Sequence, residues 1–181
     1  MKKTTHLVAA ICMIAACLLF TDANAQSNDS KFRFGIGVDG LVPVGSLTNN
    51  ENFGLGITPR LQYSVSDKFA LTFTSGFYHF FSKQIYYSAP LGAAITGKYD
   101  LDIVPVKAGV KYFVLPNIYL AGEAGVGFEV EDGGGPADLL LSPGVGYSSK
   151  NWDIGLRYEN FHNNTGAIGV FGVRLAYGFK L

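Results

Sequence analysis

The placement of glycine constrains this chain more than any other feature of its sequence. Read as extended strands, the chain puts thirteen of its 23 glycines on one face: Gly35, Gly37, Gly54, Gly56, Gly76, Gly109, Gly125, Gly127, Gly144, Gly146, Gly155, Gly172 and Gly178. The opposite face of the same strands carries Phe, Leu, Ile, Val, Tyr and Trp, with almost no charge. Successive side chains of a strand point to opposite sides of a sheet, so a period of two separates these sets. Small and charged residues on one side and large apolar ones on the other describe a closed barrel turned inside out. Its interior is narrow and polar, and its exterior meets lipid.

The first 25 residues stand apart from this pattern. Lys2 and Lys3 form a positive start, Leu7 to Phe20 is apolar apart from two cysteines, and Ala23-Asn24-Ala25 is a small-x-small cleavage site. This predicts a secretory signal peptide over 1–25 and a single barrel domain over 26–181. The apolar run falls short of the roughly 20 residues a membrane helix needs. Cys12 and Cys17 both leave with the leader, so the remaining chain forms no disulfide even in a compartment that permits one. Ile14-Ala15-Ala16-Cys17 resembles a lipoprotein box, which keeps lipidation of Cys17 as the alternative to cleavage after Ala25. With 14 Lys plus Arg against 14 Asp plus Glu, the charge gives no reason to expect nucleic acid. After Gln26 no uninterrupted apolar run is long enough for a membrane helix, so any crossing must use strands.

Eight strand-like segments follow, at about 31–44, 53–65, 69–81, 100–114, 117–130, 138–148, 152–161 and 167–181. Each is near or beyond the roughly 9–11 residues with which a tilted strand crosses a bilayer. The alternation is clean in several. Phe53, Leu55, Ile57, Leu61 and Tyr63 oppose Gly54, Gly56, Thr58, Arg60 and Gln62; Trp152, Ile154, Leu156 and Tyr158 oppose Asp153, Gly155, Arg157 and Glu159. Phe171, Val173, Leu175, Tyr177, Phe179 and Leu181 oppose Gly172, Arg174, Ala176, Gly178 and Lys180. Ser66-Asp67-Lys68, Leu115-Pro116 and Ser149-Lys150-Asn151 are tight links. Longer ones lie near 45–52, 82–99, 131–137 and 162–166. Short turns on one rim and long loops on the other are the pattern of outer-membrane barrels.

Volume decides which face points inward. A soluble barrel also alternates, with its apolar face inside. Eight strands enclose a space that side chains just fill. Ten phenylalanines on the large-residue face (among them Phe34, Phe73 and Phe171) would overfill it. The glycine-rich face fits, and leaves room for Arg33, Arg60, Lys107, Lys111, Arg157, Arg174 and Lys180 to pair with Asp39, Glu123, Glu129, Asp153 and Glu159. Aromatic residues gather near both strand ends on the other face: Tyr63, Tyr112, Tyr147, Trp152 and Tyr177 towards the short turns, Phe53, Phe77, Phe81, Phe128 and Tyr158 towards the loops. In hydrocarbon an unpaired strand edge costs several kcal/mol per group, so the first strand must pair with the eighth.

On these residues the chain resembles the small eight-stranded outer-membrane β-barrel proteins of Gram-negative bacteria, the family of OmpX and the OmpA membrane domain. The resemblance covers 31–181. It is greatest over Ile103-Val104-Pro105-Val106-Lys107-Ala108-Gly109-Val110-Lys111-Tyr112-Phe113 and over Tyr119-Leu120-Ala121-Gly122-Glu123-Ala124-Gly125-Val126-Gly127-Phe128. The alternating Leu175, Tyr177, Phe179 and Leu181 resemble a signal read by the outer-membrane assembly machinery, although the family often ends on an aromatic residue. The resemblance implies an all-β, antiparallel up-and-down transmembrane barrel in the outer membrane, in contact with lipopolysaccharide and monomeric.

Some barrels of this size modify lipid A, which calls for a nucleophile beside a base. His79 lies on the outward parity of the third segment, and neither Ser75 nor Ser82 has the i, i+2 spacing that would set it beside the imidazole. His162 adjoins the loop Asn163-Asn164-Thr165-Gly166. Glu129, Glu131 and Asp132 precede Gly133-Gly134-Gly135 without the spacing of a calcium loop. No catalytic, cofactor-binding or metal-ligating residue is therefore assigned, and no cofactor is expected. The expected function is a structural or surface-interaction role without catalysis, with partners reached through the four longer loops. A narrow channel or small-ligand passage and a lipid-modifying enzyme built on His79 are the alternatives.

Overall fold

The computed structural model describes residues 31–45, 51–83, 85–88, 94–97, 100–130, 137–163 and 166–181. The expected leader lies outside the described residues, as do parts of the longer links and Glu131, Asp132 and Gly133 to Gly135. The strands are β1 (Phe32–Val44), β2 (Glu51–Ser64), β3 (Phe69–Ser75), β4 (Phe77–Ser82), β5 (Ile85–Ser88), β6 (Ala94–Gly97), β7 (Leu101–Phe113), β8 (Ile118–Glu129), β9 (Asp138–Ser148), β10 (Trp152–Asn163) and β11 (Gly166–Lys180). No described helix is long and apolar enough to cross a membrane, which says nothing about crossing by strands.

β3 and β4 are one barrel strand. Both pair with β2 in a continuous register, Leu61 opposite Phe73 and Ile57 opposite Phe77, and both pair with β7 on the other side. The strand assignment breaks at Gly76, where a Cβ would stand 2.3 Å from the Ile57 carbonyl oxygen. Counted so, eight strands pair antiparallel in chain order, and β1 closes on β11 with Phe34 opposite Phe179 and Asp39 opposite Arg174. Closure leaves the barrel no unpaired edge.

The short links are tight turns. Val65 and Ser66 N–H donate to the Phe69 carbonyl at 2.9 and 3.0 Å, Val114 N–H to the Ile118 carbonyl at 3.0 Å, and Ser149 N–H to the Trp152 carbonyl at 2.7 Å. The segment 82–99, expected as a loop, instead holds a separate two-stranded sheet in which β5 pairs with β6. Its Ile, Tyr and Thr are strand formers that side-chain alternation alone did not separate from loop.

Burial follows the alternation. Ile57, Leu156 and Val173 face outward at 60%, 50% and 54% exposure. Their strand neighbours Thr58, Arg157 and Arg174 are buried inside. The aromatic girdles also lie outward as expected. Phe32 packs against Tyr63, Phe69 against Tyr112 and Trp152 against Tyr177 near the short turns, while Phe53 stacks on Phe81 near the loops. Lys180, expected inside, is exposed at the end of β11.

One part of the interior departs from expectation. Towards the long loops it is apolar: Leu41, Tyr78, Phe80, Ile103, Leu140, Phe161 and Val170 form one buried cluster, with Leu101 and Ile168 packed against it. These side chains fill the loop end of the barrel. They fit because the glycines beside them surrender volume: a Cβ on Gly54 would meet the Phe80 ring at 2.7 Å, and one on Gly127 the Phe161 ring at 2.8 Å.

Candidate functional site in the barrel interior

Strand alternation aims Asp39 (β1), Arg60 (β2), Lys107 and Lys111 (β7), Glu123 (β8), Asp153, Arg157 and Glu159 (β10) and Arg174 (β11) at a common axis. Seven of them form a connected network through Thr58, and Lys111 and Asp153 pair beside it. Glu159 accepts from Lys107 and, at 2.8 Å, from Arg157 Nε. Arg157 Nη1 also donates to Asp39 Oδ1 at 2.6 Å, and Arg157 Nη2 to the Tyr78 hydroxyl at 3.0 Å. Asp39 Oδ2 accepts from Thr58 Oγ1 at 2.5 Å. Glu123 Oε1 accepts from Arg60 Nη2 at 2.9 Å, Thr74 Oγ1 at 2.9 Å and Thr72 Oγ1 at 3.2 Å, and its Oε2 lies 3.5 Å from Lys107 Nζ. Nearer the short turns, Asp153 accepts from Lys111 and, at 2.8 Å, from the Tyr119 hydroxyl, and the Lys111 ammonium stands 4.0 Å from the Tyr119 ring centroid.

Ions withdrawn from water in this way are stable only when paired and hydrogen-bonded, and here carboxylates are met by two or more donors each. The expected charged interior is therefore present. The alternation put the ions and Thr58 on the inward face but did not single out Tyr78, Thr72, Thr74 and Tyr119, which help complete the ions' shells. The signal was available: Thr72, Thr74, Gly76 and Tyr78 share one parity. Arg33 donates instead to the Ser149 and Lys150 carbonyls at 3.1 and 2.6 Å and ties β1 to a short turn.

Chemically, this interior cross-braces the barrel. Lys107 and Lys111, the amines that could act as nucleophiles, are each held by a carboxylate. Two cavities of about 20 Å³ adjoin the network, each of a size for little more than one water.

On the outside, His79 faces outward as expected and has a cross-strand partner. Asp102 sits opposite it in the β4–β7 register, with Asp102 Oδ1 2.6 Å from His79 Nδ1, and Phe81 meets the imidazole edge-on. Ser82 turns inward, its hydroxyl donating to Asp100 at 3.2 Å. Among the described residues no serine or threonine hydroxyl is hydrogen-bonded to His79. His162 is exposed at the end of β10, opposite Ala167. Among the described residues no group of three or more His, Cys, Asp or Glu is gathered for a metal.

No protein-family model matches the sequence, and no curated protein matches it. Solved structures do match the fold. Ail, the attachment invasion locus protein of Yersinia pestis, superposes with a TM-score of 0.55 at 13% identity, over 83% of this chain and 99% of that one. Neisserial surface protein A gives 0.54 at 20% identity, over 84% and 98%. The N-terminal β-barrel domain of Pseudomonas aeruginosa OprF gives 0.52 at 12% identity, over 83% and 100%. At these identities the likeness is one of fold: all are small closed β-barrels.

Proposed function

We propose that this chain is an integral outer-membrane protein, an eight-stranded barrel with a structural or surface-interaction role that displays its longer loops outside the cell and carries no catalysis. One observation carries the reading. Large apolar side chains face outward all round a closed barrel, Ile36, Leu55, Phe73, Leu120, Val145, Ile154 and Val173 among them, each 46–54% exposed, while the ions are inside. In water that arrangement would expose far more contiguous apolar surface than a soluble monomer carries; in a bilayer it is the low-energy one. The leader read over 1–25 supplies the export route, with assembly by the outer-membrane machinery. Fold likeness to Ail, which bears the name of an attachment protein, supports a surface role without naming a partner.

The ion-pair layer and the apolar cluster argue against an open channel, since a permeating solute would have to displace both. The His79–Asp102 pair favours the enzyme reading only in part, because among the described residues no hydroxyl completes it. Gel mobility with and without boiling tests the proposal. A folded barrel extracted from membranes runs differently from its boiled form. A chain recovered in the soluble fraction without detergent, with no shift on boiling, would sink it.

A further inference from the structure

We propose that the short-turn half of the barrel interior binds one small inorganic anion, of the size of chloride, between Arg174 and Arg60. Arg174 is 2% exposed. Its guanidinium donates to the Thr58 hydroxyl and, at 3.0 Å, to the Thr58 carbonyl, both uncharged groups. Its Nε is buried with no acceptor among the described residues. The nearest carboxylate in this chain of contacts, Asp39, is already taken by Thr58 and by Arg157 at 2.6 Å. Arg174 therefore keeps both an unused donor and an unmatched charge in a low-dielectric interior, where either is costly.

The space beside it has the matching character. A cavity of about 20 Å³ is lined by Arg174, Arg60, Lys111 and Arg33 and by one carboxylate, Asp153. Both Asp153 oxygens are engaged, by Lys111 and by Tyr119. Of the four cations, Lys111 is held by Asp153 and Arg60 by Glu123 at 2.9 Å, so among the described residues Arg174 and Arg33 are the two without a carboxylate partner. Gly35 and Gly178 form part of the wall and leave the room that side chains would take. The volume is that of a single water-sized occupant and suits a monatomic anion. An anion, unlike a water, also answers the charge that Arg174 brings to the cavity.

The test uses protein extracted into detergent from expressing cells, with chloride as the probe, followed by chloride-35 NMR linewidth. Excess broadening is expected, displaced by bromide, falling roughly tenfold in Arg174→Gln, which removes a charge-assisted donor, and unchanged in Lys68→Gln on an exposed turn. Broadening that is absent, or equal in Arg174→Gln, would overturn the site. Should that variant fail to fold, crystals of the unsubstituted protein grown in sodium bromide decide: an anomalous peak between Arg60 and Arg174 supports the proposal, and a water without one refutes it. The site depends on the barrel interior alone, so a barrel that bound chloride yet failed to enter bilayers would defeat the membrane reading and leave this one standing.

Discussion

Arg157 Nη1 donates to Asp39 Oδ1 at 2.6 Å across 118 positions of sequence, and both side chains are buried. The bond joins β10 to β1 inside the barrel, two strands that share no ladder and are separated by β11. Ion pairs of this kind tie the wall together from within, and their energetics give a direct prediction.

Glu159→Gln should destabilise the barrel by about 3–5 kcal/mol, because Lys107 and Arg157 each lose one of their two carboxylate partners. Replacing Lys107 and Glu159 together by methionine should cost less than the single change, since no charge is then stranded. Trp152 is the sole tryptophan, so its fluorescence in a urea titration of the bilayer-folded protein reports both midpoints. A double substitution more damaging than the single one would show that the pair is a net source of stability.

The wall itself is sensitive at particular glycines. A Cβ on Gly125 would stand 2.0 Å from the Val106 carbonyl oxygen, a backbone atom that cannot rotate away, whereas a Cβ on the outward Gly122 meets nothing within 4 Å. Gly125→Val should lower folding yield and the unfolding midpoint sharply, at the upper end of the roughly 1–3 kcal/mol typical of overpacking. Gly122→Val should be close to neutral. Boiling-dependent gel mobility measures both.

Leu156 projects from the middle of β10 at 50% exposure. Leu156→Arg should cost about 2–4 kcal/mol in a bilayer, where the guanidinium would lie near the hydrocarbon midplane. Refolding titrations into phospholipid vesicles measure this. An insensitive Leu156 would mean that this face never meets lipid.

The apolar cluster under the loops should behave as a protein core. Phe80→Ala and Phe161→Ala, each removing a ring that is 0% or 1% exposed, should destabilise by about 3–5 kcal/mol. Neither should produce steady conductance in planar bilayers, because the Lys107–Glu159–Arg157–Asp39 layer remains beneath. Stable single-channel currents from the unsubstituted protein would favour the passage reading instead.

Expression of the protein should leave lipid A mass unchanged, and His79→Ala should leave it unchanged as well. Mass spectrometry of extracted lipid A checks this. A mass change that disappears in both His79→Ala and Asp102→Asn would revive the enzymatic alternative.

The barrel is legible in the strand pattern. Phe53 to Tyr63, Trp152 to Glu159 and Phe171 to Lys180 each announce their two faces, because a strand's period of two is a local property of the backbone. The tight links at 66–68, 115–116 and 149–151 set the order of the strands, and the volume of an eight-stranded interior settled which face is inside. Which side chains meet inside is a matter of strand register. Asp102 reaches His79, Asp39 reaches Arg157, and Phe80, Phe161 and Leu140 close together under the loops through the register in which the strands are staggered on closure. Register is a sum over every ladder round the barrel. No single strand encodes it, and so the pairings inside and the apolar cluster could not be read from alternation alone.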